Sequence, residues 1–484
     1  MTGRRLFLQG AGAAVVFGFD ASRRRWVSSA DAGHGFPFDR VPPLDGVLVT
    51  DPTSLAGAAR DVGEIVHDTP VAVLRPGSVE DIQKMIRFCR RFRIKAAARG
   101  QGHTTFGQAQ VEGGLVIEMG TLNTIHSIAP GAADVDAGLK WIDLLNAAVP
   151  QGLTPPALTG FTGLSIAGTL SVGGISGVYN KGAQVDNVSE LEVVTGEGDL
   201  KRCSLAQNRD LFEAALGGLG QCAIITRATV NLVPARQLAR LFLVNYTDNA
   251  TFFADYRRIL NRGEFDQAFN MWIPDGTGGL IYQLNLVKYY DPSDPPDNDH
   301  LLRGLAAPPV AVVDLPYLAF ILGVDVLVDQ LKAAGLWDGW QRPWFDVFLS
   351  NDVVEQFVGD VMPTLTPEDI GTTGFLLLFA QKRSKLTRPF LRVPESRDWT
   401  FLFDILTSAS APGQNQAFVD RMLARNRRLF EAARRVGGTR YPISAIPFNR
   451  GDWARQYDGV FSDLVHAKHR YDPDNILTPG PGIF

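Results

Sequence analysis

One glycine-rich segment of the 484-residue chain carries a single histidine. Residues 99–110 read RGQGHTTFGQAQ, with His103 in the middle. Apolar stretches at Ile94–Ala98 and Leu115–Met119 flank the segment, which predicts a loop between two strands. Glycines let a backbone approach a ligand closely, and the free N–H groups of such a loop suit phosphate oxygens. Because a neutral imidazole is also a competent nucleophile, the pattern favours a dinucleotide cofactor bonded to the protein.

The spacing of these glycines differs from the Rossmann fingerprint. After Gly100 and Gly102 the next glycine is Gly107, and a strand rather than a helix is expected to follow. Nicotinamide-type binding is therefore not expected. The residues alone leave a second interpretation open, in which the loop binds nothing and its histidine is simply solvated.

Composition restricts the class of protein. Apolar residues make up 45% of the chain and charged residues 20%, as in ordinary globular proteins, and the length allows two or three domains. A net charge of −4 predicts no nucleic-acid partner. No apolar run in the body of the chain reaches the length of about 18 residues that a membrane span needs. The three widely spaced cysteines predict neither a disulfide framework nor a metal site.

The N-terminus resembles a twin-arginine export signal. Arg4 and Arg5 precede a short apolar stretch, and the small residues at 28–30 suit the end of a cleavable segment. Residues 1–30 are therefore predicted to be a signal segment, and the protein to be exported to the periplasm or the medium. The alternative is a short arm without a targeting role, in which case the protein would stay in the cytoplasm.

Residues 66–235 have the pattern of an α+β domain. A strand is predicted at Val71–Leu74, followed by a helix that Ser78 caps, with Asp81 as its capping-box partner. Together with the strand at Ile94–Ala98, these elements predict a β-α-β unit.

Residues 236–440 alternate strands with amphipathic helices and predict a second α+β domain. The last residues, 441–484, end in an apolar, proline-rich tail, which is more often docked than frayed. The elements predicted for the second domain are strands at Ala239–Tyr246, Leu280–Val287 and Gly374–Ala380 and helices at Asp248–Asn261, Asp404–Ser408 and Asn415–Arg435.

Four ordered segments resemble the flavin-linked oxidases of the vanillyl-alcohol-oxidase type, which share a PCMH-type FAD-binding domain, and among them most closely the cytokinin dehydrogenases. The resemblance implies an α+β fold. It implies a two-subdomain FAD-binding domain over residues 66–235 and a substrate domain over 236–440 with an antiparallel sheet flanked by helices. Residues 441–484 would return to the FAD-binding domain. The segments that carry the resemblance are RGQGHTTFGQAQ (99–110), GLSIAGTLSVGGISG (163–177), DNVSELEVVTGEGD (186–199) and LGGLGQCAIITRA (216–228).

The resemblance also implies the cofactor site. FAD would lie between two subdomains with its pyrophosphate on the glycine loops, and His103 matches the histidine that bonds the flavin. Residues 163–177 contain no cysteine, so a second covalent bond is not expected. The other positions that match FAD contacts are Gly100, Gly102, Thr104, Gln108, Ser165, Ser171, Ile175 and Ile225.

Two positions depart from the cytokinin dehydrogenases. The family's catalytic aspartate is Gly160 here, and its substrate-binding glutamate matches Asn285. A glycine accepts no proton, and an asparagine does not form an ion pair with a cation. Asn285 and Asp186 are the candidate catalytic residues. A true cytokinin dehydrogenase would have to use another base, for which Asp186 or Asp352 are the candidates.

These observations predict an FAD-dependent oxidoreductase that removes a hydride from a CH–NH or CH–OH group of a small, fairly apolar molecule. Oxygen or a quinone-like molecule would then accept the electrons. Trp272, Trp344 and Phe345 are either aromatic residues of the substrate pocket or plain core residues. Two alternatives remain, namely a true cytokinin dehydrogenase acting on isopentenyladenine-type cytokinins and a flavin-binding protein that has lost turnover.

Overall fold

The computed structural model describes residues 16–28, 37–276 and 279–484. Its first half consists of short strands and a few helices. The strands are β1 (Val16–Asp20), β2 (Arg25–Ser28), β3 (Asp39–Arg40), β4 (Val47–Val49), β5 (Ala72–Arg75), β6 (Ala96–Arg99), β7 (Leu115–Glu118), β8 (Ile125–Ala129), β9 (Ala132–Asp136), β10 (Leu153–Thr154), β11 (Val188–Thr195), β12 (Leu200–Ser204), β13 (Ala223–Asn231) and β14 (Val233–Pro234). The helices are α1 (Pro52–Ala58), α2 (Val79–Phe92), α3 (Trp141–Ala148), α4 (Ile166–Leu170) and α5 (Arg209–Ala215).

A four-stranded sheet in the order β4-β5-β7-β6 positions the glycine-rich loop. The predicted strand-helix-strand unit is present as β5, α2 and β6, but β7 lies between the two strands and is parallel to both. Ser78 caps α2 by accepting a hydrogen bond from the Asp81 amide. The capping-box role predicted for Asp81 is wrong, because its carboxylate accepts instead from the amides of Asp45, Gly46 and Gly77.

The second sheet of this half is antiparallel, in the order β12-β11-β13-β9-β8. Strands β11 and β12 form a hairpin, and Gly198 lies in its turn with φ +79°, a conformation that glycine adopts without strain. The segment 163–177 contains α4 and packs against β13, which positions its small residues close to the loop that carries His103.

The second half of the chain forms a larger sheet and the helices that cover it. The strands are β15 (Leu238–Tyr246), β16 (Gln267–Pro274), β17 (Leu280–Tyr290), β18 (Pro309–Pro316), β19 (Phe345–Ser350), β20 (Phe375–Lys382), β21 (Trp399–Leu406) and β22 (Thr439–Arg440). The helices are α6 (Asn249–Arg262), α7 (Asn298–Leu302), α8 (Tyr317–Ile321), α9 (Gly323–Ala333), α10 (Val354–Val361), α11 (Pro367–Ile370), α12 (Gln416–Arg435), α13 (Arg450–Tyr457) and α14 (Phe461–Tyr471).

These strands form an eight-stranded antiparallel sheet in the order β18-β15-β17-β16-β20-β21-β19-β22. Helices α6, α10 and α12 pack on one face and form a core with it. The helix predicted at Asp404–Ser408 is wrong, because these residues continue β21 and its exit. Since β21 is buried on both faces along its whole length, its sequence WTFLFDIL lacks the alternation that identifies a strand.

The C-terminal segment is hydrogen-bonded to the first half of the chain. The amide of Ala96 in β6 donates to the carbonyl of Ile476 at 2.8 Å, and the amide of Thr478 returns a bond to Ala96 at 2.8 Å. The amide of Thr105 donates to Ile443 at 3.1 Å. These bonds hold residues 441–484 beside the loop that carries His103.

Part of the predicted signal segment is folded onto the body of the protein. Strands β1 and β2 form a hairpin whose buried Phe19 and Trp26 pack against Phe88 of α2. Arg4, Arg5 and the proposed cleavage region lie outside the described residues, so export stays a prediction. Among the helices that the structure describes, none is both long and apolar enough to cross a membrane.

Candidate functional site

A cavity of about 690 Å³ lies between the glycine-rich segments and the face of the large sheet opposite α6 and α12. Residues 98–109 and 158–177 form one wall, strands β16, β20 and β21 form the other, and helices α8 and α9 close one side. An adjoining cavity of about 400 Å³ shares Gly102 and His103 with it. Cavities of this size with a mainly apolar lining and a few convergent polar groups are typical cofactor and substrate sites.

The loop after β6 presents backbone N–H groups to this cavity. Residues 101–104 line it, and their amides donate no hydrogen bond to another described residue. Gly102 turns the chain with φ +62°, in the left-handed region that favours glycine. Gly100 lies so close to the start of α4 that a Cβ atom on it would be 2.1 Å from Ser165 Oγ. The loop is therefore a set of unpaired donors with close backbone packing, an arrangement that suits phosphate oxygens.

His103 lies half-buried in the cavity wall. Its ring centroid is 5.1 Å from that of Phe161, 5.5 Å from that of Trp344 and 6.2 Å from that of Trp337. Burial, together with the charges of Arg342 and Lys332, lowers the pKa of His103 to about 3. The exposed part of the ring faces the cavity. Because of the lowered pKa, the imidazole there is neutral at physiological pH.

The structure brings all of the cofactor residues predicted from the sequence to this cavity. Besides His103, the predicted residues that line it are Gly100, Gly102, Thr104, Gln108, Ser165, Ser171, Ile175 and Ile225. Gln108 also joins the loop to the C-terminal segment, since its Nε2 donates to the carbonyl of Pro442 at 3.0 Å.

The residues predicted for catalysis lie elsewhere. Among the described residues that line the cavity, neither Asp186 nor Asn285 is present. The Asp186 carboxylate accepts hydrogen bonds from Thr387 and from the Ala183 amide, and burial raises the pKa of Asp186. Asn285 donates to the carbonyl of Gln283 at 3.0 Å and is one strand farther out than the cavity floor. Both side chains thus have local structural partners.

Gly160, the position of the family's aspartate, does line the cavity. The three aromatic candidates lie on opposite faces of the large sheet. Trp344 lines the cavity, whereas Trp272 packs against Tyr282 and Phe403 in the opposite core, and Phe345 is fully buried there. Strand alternation explains the difference, because neighbouring residues point to opposite faces of the sheet.

Sequence reasoning missed two acidic residues in the cavity wall. Asp346 in β19 and Asp404 in β21 are cross-strand partners, and both line the cavity. Burial raises the pKa of both carboxyl groups, and the negative charge of Asp346 raises that of Asp404 further. The available signal was a single acidic residue inside each of two strongly apolar runs, WFDVFL and WTFLFDIL.

FAD fits the residues of this cavity. The unpaired amides of 101–104 supply donors for a pyrophosphate, and the close packing at Gly100 leaves no room for a larger residue. Ile175 and Ile225 offer apolar surface to a flat ring system. Among the described residues, no group of acidic, histidine and cysteine side chains could hold a metal ion.

Comparisons with known proteins agree with this geometry. A family model described as an FAD binding domain matches residues 70–204. A second model, described as the FAD and cytokinin binding region of cytokinin dehydrogenase 1, matches residues 243–484. Together the two matches cover both walls of the cavity.

Similar proteins match over nearly their whole length. The uncharacterized oxidoreductase ORF5 in the fasciation locus of Rhodococcoides fascians is 37% identical over 443 residues, which are 90% of this chain and 99% of that protein. Cytokinin dehydrogenase 4 of Arabidopsis thaliana is 30% identical, with 91% of this chain and 93% of that protein covered. Cytokinin dehydrogenase 8 of Oryza sativa subsp. indica is 31% identical with the same coverage. The chain therefore belongs to the cytokinin dehydrogenase family and is an FAD-dependent oxidoreductase.

Proposed function

We propose that FAD is bonded covalently to His103 and that the enzyme removes a hydride from a CH–NH or CH–OH group of a small, fairly apolar substrate. The observation that supports this most strongly is a neutral histidine in the wall of the cavity, beside a loop of unpaired amides. Oxygen or a quinone-like molecule is the proposed electron acceptor.

The environment of His103 suits covalent attachment. Because burial and nearby positive charges lower the pKa of the imidazole to about 3, a ring nitrogen keeps its lone pair at neutral pH. The ring contacts Phe161 and Trp344, which restrict its orientation. An oriented and unprotonated nucleophile is what bond formation to a bound cofactor requires.

The wall opposite the glycine loops suits the substrate. Phe269 and Met271 of β16 and Leu377 and Phe379 of β20 form an apolar floor of cross-strand neighbours. FAD, when bound, supplies the hydride acceptor. The residues of the chain contribute by binding the substrate against this floor, orienting it and excluding water.

Acid denaturation tests the covalent bond. The purified protein is denatured in acid and run on a gel, and yellow fluorescence should remain with the polypeptide. His103→Ala should release the flavin while leaving a folded chain, and His126→Ala, on the exposed strand β8, is the matched control that should retain it. Recovery of all FAD in free form from the wild-type protein would refute the proposal.

The second candidate is a true cytokinin dehydrogenase that cleaves isopentenyladenine-type cytokinins. It is favoured by the match of residues 243–484 to a model described by FAD and cytokinin binding. The glycine at position 160 argues against efficient turnover, because it provides no base next to the cavity. Oxidation of a panel of amines, alcohols and isopentenyladenine with an artificial acceptor separates the two candidates.

A further inference from the structure

Two carboxyl groups lie side by side in the wall of the cavity. Asp346 and Asp404 are directly opposed in adjacent antiparallel strands, a position in which Cβ atoms are about 4.5–5.5 Å apart. Asp346 is 1% exposed and Asp404 is 4% exposed, and both line the cavity. The small exposed area of each side chain therefore faces the cavity.

Most oxygens of this pair have no partner. Both carboxyl oxygens of Asp346 and Oδ1 of Asp404 are buried without a hydrogen bond among the described residues. A proton shared between the two groups would satisfy one oxygen of each and still leave at least one without a partner. Other buried acids have partners, since Asp452 forms an ion pair with Arg427 and Asp81 accepts hydrogen bonds from three backbone amides. An unpaired carboxyl group is costly to bury and calls for an explanation.

A positively charged side chain, that of Arg440, lies near the pair but does not form a hydrogen bond with it. Arg440 in β22 is beside Asp346, but its guanidinium donates to the hydroxyl and carbonyl oxygens of Ser444. Its charge lowers the pKa of Asp346, against the stronger opposite effect of burial. Tyr441 also lies near the pair, and its hydroxyl accepts from the Gly174 amide at 3.0 Å. The raised pKa values of the two carboxyl groups keep protons on them at neutral pH. When both groups ionise, their charges and that of Arg440 sum to −1, which a cation entering the cavity would neutralise.

The pair is on the substrate side of the cavity, within reach of the His103 end. Trp344, whose ring contacts His103, precedes Asp346 by two residues, which corresponds to about 7 Å along one face of a strand. Asp404, Leu377 and Met271 are successive cross-strand partners across the cavity floor. An amine with an apolar body could therefore place its nitrogen at the acids and its body on this floor.

We propose that Asp346 and Asp404 bind a positively charged nitrogen of the substrate, apart from the CH–NH or CH–OH group that loses the hydride. The separation is needed because a protonated nitrogen has no lone pair to stabilise the cation that hydride loss leaves on the neighbouring carbon. The inference deepens the proposed function and rests on it, because it takes the large sheet as the substrate side of the cavity. It also assigns to β19 and β21 the negative charge that is missing at Gly160 and Asn285.

Binding of benzamidine and benzamide to the flavin-loaded enzyme tests the inference by calorimetry. The two molecules have nearly the same shape, only benzamidine is cationic, and neither has a C–H bond next to nitrogen to lose as hydride. Wild type should prefer benzamidine by about 10- to 100-fold, the range expected for a charge-assisted hydrogen bond. Asp346→Asn and Asp404→Asn should each reduce the preference to within about twofold. Asp360→Asn, at an exposed carboxyl group of α10 outside the cavity, is the control that should keep it.

Proton release gives a second measurement that does not depend on the variants folding. Calorimetry at pH 7 in two buffers with different ionisation enthalpies should show that benzamidine binding to wild type releases a proton, because a cation favours the ionised pair. Benzamide binding should release none.

Three outcomes would overturn the inference. They are equal binding of the two molecules by wild type, a benzamidine preference without proton release, and Asn variants that change the flavin spectrum but keep the preference. None of them bears on the bond to His103, which acid denaturation tests separately. A benzamidine preference in a protein that releases all of its FAD would refute only the proposed covalent attachment.

Discussion

An aspartate at position 160 should make the protein a much better dehydrogenase of isopentenyladenine. Gly160 lines the cavity, its backbone is outside the left-handed region, and a Cβ atom there would meet only Val324 Cγ2, at 3.8 Å. The substitution Gly160→Asp therefore needs no rearrangement of the backbone. A carboxylate at this position can accept the N–H proton of a secondary amine while the neighbouring C–H bond gives up a hydride.

The size of the gain follows from the chemistry and the surroundings. A positioned general base is typically worth about 10²–10⁴-fold in rate, or about 3–5 kcal/mol of activation free energy. The apolar residues Phe161, Leu164 and Val324 line the same cavity, and Val324 lies in contact distance of a Cβ atom at position 160. Desolvation by these groups raises the pKa of a new carboxyl group towards neutrality, where a general base is most effective. We therefore expect a gain of at least about 100-fold in kcat/KM.

Adding Asn285→Glu to Gly160→Asp should contribute little. Asn285 is outside the cavity lining, 5% exposed, and bonded to the carbonyl of Gln283 in its own strand. A glutamate there would bury a charge without a partner and destabilise the sheet.

The assay is kcat/KM for isopentenyladenine with an artificial electron acceptor, measured at equal flavin content. Gly160→Asn is the matched control, since it adds the same volume without a basic group. The reasoning is refuted if wild type already turns over as fast as Gly160→Asp, or if Gly160→Asn gives the same gain.

Two further predictions concern stability and targeting. Lys468→Met should lower the free energy of unfolding by about 3–5 kcal/mol in urea titrations, because it leaves the fully buried Asp472 without its cation. The control Lys201→Met, at a partly exposed position, should lower it by less than about 1 kcal/mol. Equal losses in the two variants would show that the buried ion pair does not stabilise the fold. Replacing both Arg4 and Arg5 by Lys should keep the protein in the cytoplasm in cell fractionation, because a receptor reads the arginine pair. Unchanged export, or no export of wild type, would show that residues 1–30 are not a signal.

The cofactor side of the cavity was predictable because its determinants are contiguous in the sequence. The loop that carries His103 follows β6 directly, and the small residues of 163–177 form one short helix and its flanking turns. Backbone N–H groups and glycine conformations are local properties, so a motif of a dozen residues contains most of the information. Ser78 was likewise identified as the cap of α2 from its neighbours alone.

The substrate side depends on strand register, which short patterns do not reveal. Asp346 and Asp404 are distant in sequence and become neighbours only because β19 pairs with β21. Asp404 was assigned to a helix, since a strand that is buried on both faces shows no alternation. The strand that contains Asn285 was predicted correctly, but the distance of Asn285 from the cavity depends on the order of strands in the sheet.

The register of β21 also argues that its acid faces a ligand. Phe403 and Ile405 pack into the core under α10 and α12, so Asp404 between them must point to the opposite face. A shift of one residue would bury the carboxyl group among aromatic side chains and move Phe403 into the cavity. The apolar residues thus determine the register, and they direct Asp404 into the cavity rather than into the core. An acid that only stabilised the fold would be expected to meet a cation or a backbone N–H there, but Oδ1 of Asp404 has no hydrogen-bond partner among the described residues and Arg440 is bonded to Ser444. The unpartnered oxygens of Asp346 and Asp404 are therefore free to bind a positively charged group that enters the cavity from solution.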